Sequence, residues 1–385
     1  MKRAAELIPV WLLAAAVLVP LLGVSQPLLE VDDARYAQVP AEMLASRDFV
    51  QPTLDGTPYV EKPPLWYWAC AGAYAAFGVS AATARVAMWL FGLLGLLGTW
   101  WLASWLYDGE TGLAAAAAAA SAALWLFLTH NMTLDLPLTA LFAWETALIL
   151  RVLLRPEDAD WAAPAAWAAG ALVFLTKGLI AVVLPGAWIV GLAILYPKTR
   201  RGARAMISPL GIALGFAIAA PWFVLLHRRR PDFYHLFFYE QHFQRFLTQK
   251  YNRNEPWWFF LVVLPAGLLP WSVPFLAGLW RAVRRPFQED VRGPALAAWV
   301  LGVTTFFSLS HSKLATYVLP VFPHAAILAV VAVKDGLPDW AKTASRLLGA
   351  LLLLAAAVAA VVLAAGLAPE RLWPPPGLPA ASAPA

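Results

Sequence analysis

The chain has 385 residues, 61% of them hydrophobic and 13% charged, with a mean hydropathy of +0.65. No soluble core buries so much apolar surface at this length, which excludes a soluble globular protein; the apolar runs also lack the alternation of barrel strands, which leaves membrane-spanning helices. The net charge of +5 decides little as a sum, and the single cysteine, Cys70, excludes an intrachain disulfide and any cysteine-based metal site.

Lys2 and Arg3 precede a first apolar run, Leu7 to Val24, which we read as a retained helix rather than a cleaved leader. A polar segment follows from Gln26 to Leu65. It carries Asp32, Asp33, Arg35 and Tyr36 near its start and Tyr59, Glu61 and Lys62 at its end. A solvated loop is the plain alternative for such a segment. In so apolar a chain, this density of ionisable groups between spans makes it a candidate site.

Later apolar runs of spanning length lie at about 83–106, 111–129, 136–154, 161–176, 179–197, 207–227, 257–280, 294–310, 314–332 and 346–367. The shorter stretch 65–78 is ambiguous, and basic residues decide it. If it does not cross, the inner loops are 107–110, 155–160, 198–206, 281–293 and 333–345. These hold Arg155, Lys198, Arg200, Arg201, Arg204, Arg281, Arg284, Arg285, Arg292, Lys334 and Lys342, a good positive-inside pattern. We therefore expect 65–78 to lie on the outer interface with Trp66, Tyr67 and Trp68 at headgroup level. The 20 Trp and 10 Tyr likewise suit interfacial belts. The expected architecture is an all-α integral membrane protein of about eleven spans, with juxtamembrane helices in the first outer loop. One membrane module would cover 1–367, and the Pro/Ala-rich tail 368–385 would be disordered.

The same parity puts 26–64, 129–136, 228–256 and 310–314 on one outer face. The third is rich in positive charge on the side where the rule disfavours it, and binding an anion is the natural reason. Together these segments supply carboxylates (Asp32, Asp33, Glu61, Asp135, Glu240) and cations (Arg35, Lys62, Arg245, Lys313). They also supply phenols (Tyr36, Tyr59, Tyr317) and imidazoles (His130, His242, His311). Carboxylates beside cations at a membrane surface suit group transfer from a phosphate-linked lipid. Cations hold the leaving phosphate, and a carboxylate takes or directs the acceptor proton. Single members stay ambiguous. Asp135 could be a helix cap, His242 an interfacial histidine and His324 a packing residue. Glu145 lies in mid-span and is given no role.

In combination, the segments resemble a known family. DDARYAQVPAEMLASRDFVQPTLDGTPYVEKPPLWYW is similar to the first outer loop of GT-C type polyprenyl-phosphate sugar transferases, most of all the lipid A aminoarabinose transferases. LDLPLTALF at 134–142, FLTKG at 174–178, PDFYHLFFYEQHFQRF and SKLATYVLPVFP follow in the family's order, so the resemblance covers roughly 5–335. It implies Asp32 and Asp135 as the catalytic acidic positions. It implies Lys62, Arg245 and Tyr317, with Tyr59 beside them and Arg35 nearby, as contacts to the carrier phosphate. It also implies a divalent ion at Glu61, with Glu240 and His242 as further ligands; no organic cofactor is expected. Asp33 stands where the family has Glu. Expected partners are a polyprenyl-phosphate-linked sugar donor, a lipid or glycan acceptor and membrane lipids, but no nucleic acid. The expected setting is the bacterial inner membrane with the site facing the periplasm. A lipid-linked sugar flippase and a protein O-mannosyltransferase-like enzyme are the alternatives. The family usually continues past its last helices into an outer soluble domain, whereas this sequence ends soon after Leu367, so the acceptor is not carried over.

Overall fold

The computed structural model describes residues 2–25, 28, 31–247, 255–284 and 290–364, with the side chains of 2–9, 31, 245, 359–360 and 362–364 left undescribed. The expected tail 368–385 and part of the 228–256 loop lie outside the described residues. The chain forms two compact units, Met1–Gly336 and Leu337–Ala385.

Helices dominate the first unit. They are α1 (Lys2–Leu18), α2 (Val31–Ser46), α3 (Leu65–Phe77), α4 (Ala81–Leu106), α5 (Gly109–Ala120), α6 (Ala123–His130), α7 (Asp135–Leu154) and α8 (Ala159–Lys177). Next come α9 (Ile180–Leu195), α10 (Arg200–Ala205), α11 (Pro209–Arg229), α12 (Arg245–Leu247), α13 (Phe259–Gly267), α14 (Ser272–Arg284), α15 (Arg292–Leu309) and α16 (Phe322–Lys334). The second unit contains α17 (Asp339–Ala364). A π-helical segment, His235–Gln244, precedes α12, and a 3-10 helix, Ala315–Val321, leads into α16.

Within the described residues each expected apolar run is largely helical, but the spans are less regular than about eleven straight rods. Among the described residues, five helices are long and apolar enough to cross alone, α16 counting with its 3-10 lead-in. Two bent pairs also reach that length and apolarity together, α5 with α6 at 63° and α13 with α14 at 119°. Helix starts follow the sequence. Ser80 accepts the Thr83 N–H at 3.1 Å, Asp108 accepts that of Thr111 at 2.8 Å, and Ser208 accepts that of Gly211 at 3.1 Å just ahead of Pro209.

The hub is α7, almost wholly buried between α4 and α8. Small residues allow the approach: a Cβ on Gly95 would stand 3.1 Å from the Ala140 Cα. Tryptophans then tie helix to helix. The Trp144 indole donates to the Leu94 carbonyl, Trp188 to Ala295 and Trp299 to Pro320, at 2.9, 3.0 and 3.0 Å. Not every tryptophan is therefore free for an interfacial belt, although Trp11, Trp257, Trp280 and Trp340 are more than half exposed. Trp66, Trp125 and Trp299 are fully buried because an indole adds large apolar area and one donor that can reach a free carbonyl. The expectation is corrected at α3, where Trp66 and Tyr67 face the interior. Trp66 donates to the Tyr36 carbonyl at 3.0 Å, and Tyr67 stacks with Tyr36.

The expected inner loops converge. Lys334 pairs with Asp108 at 3.0 Å and Glu110 at 3.3 Å, and Arg292 donates to the Leu106 carbonyl at 2.8 Å. The expected outer segments converge as well, and they build the site.

Candidate active site

The first outer loop folds as a shelf. Asp55 and Gly56, at φ +53° and +72°, form the tight turn of the two-stranded hairpin Thr53–Leu54 and Thr57–Pro58. Paired positive φ values are what an Asp-Gly turn supplies. Glu42 on α2 receives the Thr53 hydroxyl at 2.6 Å and the backbone N–H groups of Asp55 and Gly56 at 2.8 and 3.2 Å. These bonds outweigh its partial burial and hold its carboxyl below the ordinary range. The shelf is pinned from outside by Trp222 on the Val50 carbonyl at 2.9 Å and by the Arg229–Asp48 ion pair at 2.6 Å.

The other outer segments close on it. Asp33, buried, accepts the Met132 N–H at 2.5 Å and ties α2 to the α6–α7 turn. His311 N–H donates to the Phe246 carbonyl at 3.0 Å. Lys313 donates to the Glu255 carbonyl at 2.8 Å, its pKa lowered by burial. Asp33 and Lys313 thus have framework roles that their residue type alone does not reveal.

Between these segments lies a cavity of about 440 Å³. Glu61, Lys62, Lys177, His242 and Tyr317 supply its polar groups, and Phe237, Phe243, Phe246, Phe306 and Phe307 much of its apolar wall. Two ammonium groups in a largely apolar lining, with the Glu61 carboxylate also in the wall, suit an amphiphilic anion.

Asp135 begins α7 but does not cap it. Its Oδ1 pairs with Lys177 Nζ, while Oδ2 accepts the Thr316 hydroxyl at 2.7 Å. Lys177 also sits over the Tyr317 ring, 4.7 Å from its centre. Asp135 is therefore buried and held by Lys177 and Thr316, and the cap alternative does not hold. Lys177 was not singled out from the sequence, although FLTKG contains it: a lysine ending a helix ordinarily just complements the dipole. The next residue, Gly178, at φ +80°, lets the chain turn beneath the His242 ring, where a side chain would collide.

Asp32 does not line this cavity. In the first turn of α2 it pairs with Arg35 at 3.2 Å, its side chain 42% exposed, and Arg35 lies 5.8 Å from the Tyr59 ring centre. Burial, then the Glu61 carboxylate, push the Tyr59 hydroxyl up to about 12. Burial, together with Tyr59, Asp32 and Asp135, holds the Tyr36 hydroxyl far above its ordinary value. Both phenols therefore stay neutral at physiological pH and can donate hydrogen bonds. The expected set thus divides into a cavity group, Lys62 and Tyr317, and a flanking arm, Asp32, Arg35 and Tyr59. The Arg245 side chain lies outside what is described; its neighbours Phe246 and Leu247 line the cavity.

The proposed metal ligands do not assemble. Among the described residues, no three His, Cys, Asp or Glu side chains meet at metal-binding spacing. His242 places Nδ1 2.7 Å from the Phe237 carbonyl, so its Nε2 lone pair is left to accept the Leu179 N–H at 3.2 Å. That bond occupies the atom a metal would need. Glu240 faces His235 at 3.7 Å. The described residues do not fit a divalent ion held by Glu61, Glu240 and His242. His130 lies 3.2 Å from the Leu126 carbonyl, and His324 packs between Trp188 and Trp299, as a packing residue would.

Fold and site together define a GT-C type membrane glycosyltransferase architecture. Residues 61–225 match the family described as dolichyl-phosphate-mannose-protein mannosyltransferase. An undecaprenyl phosphate-alpha-4-amino-4-deoxy-L-arabinose arabinosyl transferase of Pectobacterium carotovorum is 32% identical over 82% of this chain and 57% of its own length. Its counterpart in Pseudomonas aeruginosa is 33% identical over 77% of this chain and 54% of its own. The crystal structure of ArnT from Cupriavidus metallidurans bound to undecaprenyl phosphate superposes with a TM-score of 0.82 at 30% identity, covering 92% of this chain and 64% of that one. The Archaeoglobus fulgidus oligosaccharyltransferase, at 13% identity and a TM-score of 0.57, shares the fold alone. The chain belongs to the GT-C aminoarabinose transferase family, and it spans somewhat over half the length of these curated relatives.

Proposed function

We propose that this chain is the membrane module of an inverting glycosyltransferase. It moves a monosaccharide from an undecaprenyl-phosphate carrier to a lipid A-like or other envelope acceptor, at the periplasmic face of the bacterial inner membrane. The observation that carries this reading is the cavity, where Lys62, Lys177 and Tyr317, with Glu61, line the same space as a group of phenylalanines. A polyprenyl chain matches the wall and its phosphate matches the cations. The relatives, named for undecaprenyl phosphate or solved with it bound, support the same substrate class.

In the reaction, an acceptor oxygen attacks the anomeric carbon. The bond from that carbon to the carrier phosphate breaks, and both electrons leave with the phosphate. Lys62 and the Tyr317 hydroxyl stabilise the growing negative charge there. Asp135 and Thr316 hold Lys177 over Tyr317, so this ammonium is in place before the charge develops. Asp32 orients the acceptor and removes its proton, or only orients it when the acceptor is already an anionic phosphate. Its exposed position suits an acceptor arriving from outside, and the ion pair with Arg35 holds its carboxylate in place.

The test is transfer by purified protein from an undecaprenyl-phosphate-linked aminosugar to lipid A, comparing wild type with Asp32→Asn and Lys62→Ala. Each variant is expected to lose roughly 10²–10³-fold in turnover, the usual effect of removing one transition-state contact. Near-native turnover in both removes the proposed site. Product on a peptide rather than a lipid favours the mannosyltransferase-like alternative, and lipid movement without a covalent product favours the flippase.

A further inference from the structure

A second cavity, of about 390 Å³, lies on the other side of α9 and shares no lining residue with the first. Small residues of α8, α9 and α11 carve it, among them Gly170, Ala181, Gly186 and Ala219. It opens toward the lipid-facing surface, where Val182 and Phe216 are 57% and 67% exposed. Its floor holds one ionisable group, Glu145, in the middle of α7 and only 5% exposed. The Oε2 atom of Glu145 has no hydrogen-bond partner among the described residues. A Cβ on Gly170 would stand 2.7 Å from Oε1, so the glycine leaves room for the carboxyl to face the groove.

A buried carboxyl oxygen without a partner is costly, and an ionisable group inside a span is a functional candidate by default. The occupant must satisfy both features. The walls and lateral opening call for an apolar chain drawn from the bilayer. The carboxyl calls for a hydrogen-bond donor on that chain. A charged amine would have to leave the headgroup region for mid-membrane, and no second charge lines the groove to offset that cost. A hydroxyl carries no such penalty. Glu145 lies ten residues along α7 from Asp135, about 15 Å at the helical rise, so the hydroxyl belongs deep on the chain rather than near the headgroup.

We propose that the groove between α9 and α11 binds a membrane lipid through an acyl chain bearing a mid-chain hydroxyl, which donates to Glu145. The site does not depend on the glycosyltransferase reading.

The test is native mass spectrometry of the full chain with two phosphatidylcholines, one carrying a 12-hydroxystearoyl chain and one a stearoyl chain. Wild type is expected to prefer the hydroxylated lipid about fivefold, the usual worth of one net hydrogen bond. Glu145→Leu is expected to erase the preference while still binding both lipids, and Glu145→Gln to keep most of it. A Cβ on Gly186 meets open space, so Gly186→Phe fills the groove without a clash at that atom and is expected to weaken both lipids at least tenfold. Equal affinities in wild type overturn the proposal without relying on any variant. So does a preference that survives Glu145→Leu.

Discussion

Lys177 shows how one side chain can carry two duties. It forms a buried ion pair with Asp135 and also covers Tyr317 in the lining of the cavity. Breaking a buried pair from one side leaves an uncompensated charge, typically costing about 3–5 kcal/mol. Lys177→Met is therefore expected to lower both stability and turnover, whereas adding Asp135→Asn to it restores part of the stability but little of the turnover. A double-mutant cycle read by thermal unfolding and by transfer separates the two duties. Full recovery of turnover in the double variant leaves Lys177 a purely structural role. The carboxylates, cations and phenols were legible in the sequence because so apolar a chain has little reason to gather them. Which of them meet was not legible. Asp33 and Lys313 look as catalytic as Asp32 and Lys62 on paper, yet they bond to backbone groups more than ninety and more than fifty residues away. Sequence spacing carries no information about such partners.

At the scale of elements, the first outer loop depends on Glu42. Replacing it with Ala removes the turn's bonds from Asp55 and Gly56, which are exposed to water, at about 0.5–1.5 kcal/mol for each bond lost. Hydrogen exchange over 50–58 is expected to rise while α7 stays protected; unchanged exchange there counts against the role given to Glu42. On the opposite side, Asp108 caps α5, and its bonds from Thr111 and Lys334 lower its pKa from 3.8 to about 2. A depressed folded pKa means that this contribution is complete above pH 4 and fades as pH falls toward 2. Asp108→Ala is expected to cost about 1 kcal/mol at neutral pH and almost nothing at pH 2. A cost that does not vary with pH argues against the carboxylate as the cap's active form. Helix positions were readable from hydrophobic run length. The 63° and 119° bends were not, because run length cannot tell a straight span from a broken one.

At the scale of the molecule, the placement of basic residues foretold which loops gather. Lys334 and Arg292 meet the 106–110 region at one end, while Asp33, His311 and Thr316 draw the other polar segments together at the other. The aromatic residues divide: Trp66, Trp125 and Trp299 are buried, while Trp11, Trp257, Trp280 and Trp340 are more than half exposed. The helices pack closely through glycine and alanine, and the large indoles fill the volumes that remain. The same compaction leaves two cavities on either side of α9, one lined by Lys62, Lys177 and Glu61 and one holding Glu145.

The central claim is that the cavity between the polar segments grips a prenyl chain by its phosphate. The most direct measurement is equilibrium binding of undecaprenyl phosphate and undecaprenol to wild type and Lys62→Ala. Wild type should bind the phosphate at least tenfold more tightly than the alcohol, and Lys62→Ala should lose most of that difference while binding the alcohol unchanged. Equal affinity of wild type for the two lipids would contradict the account.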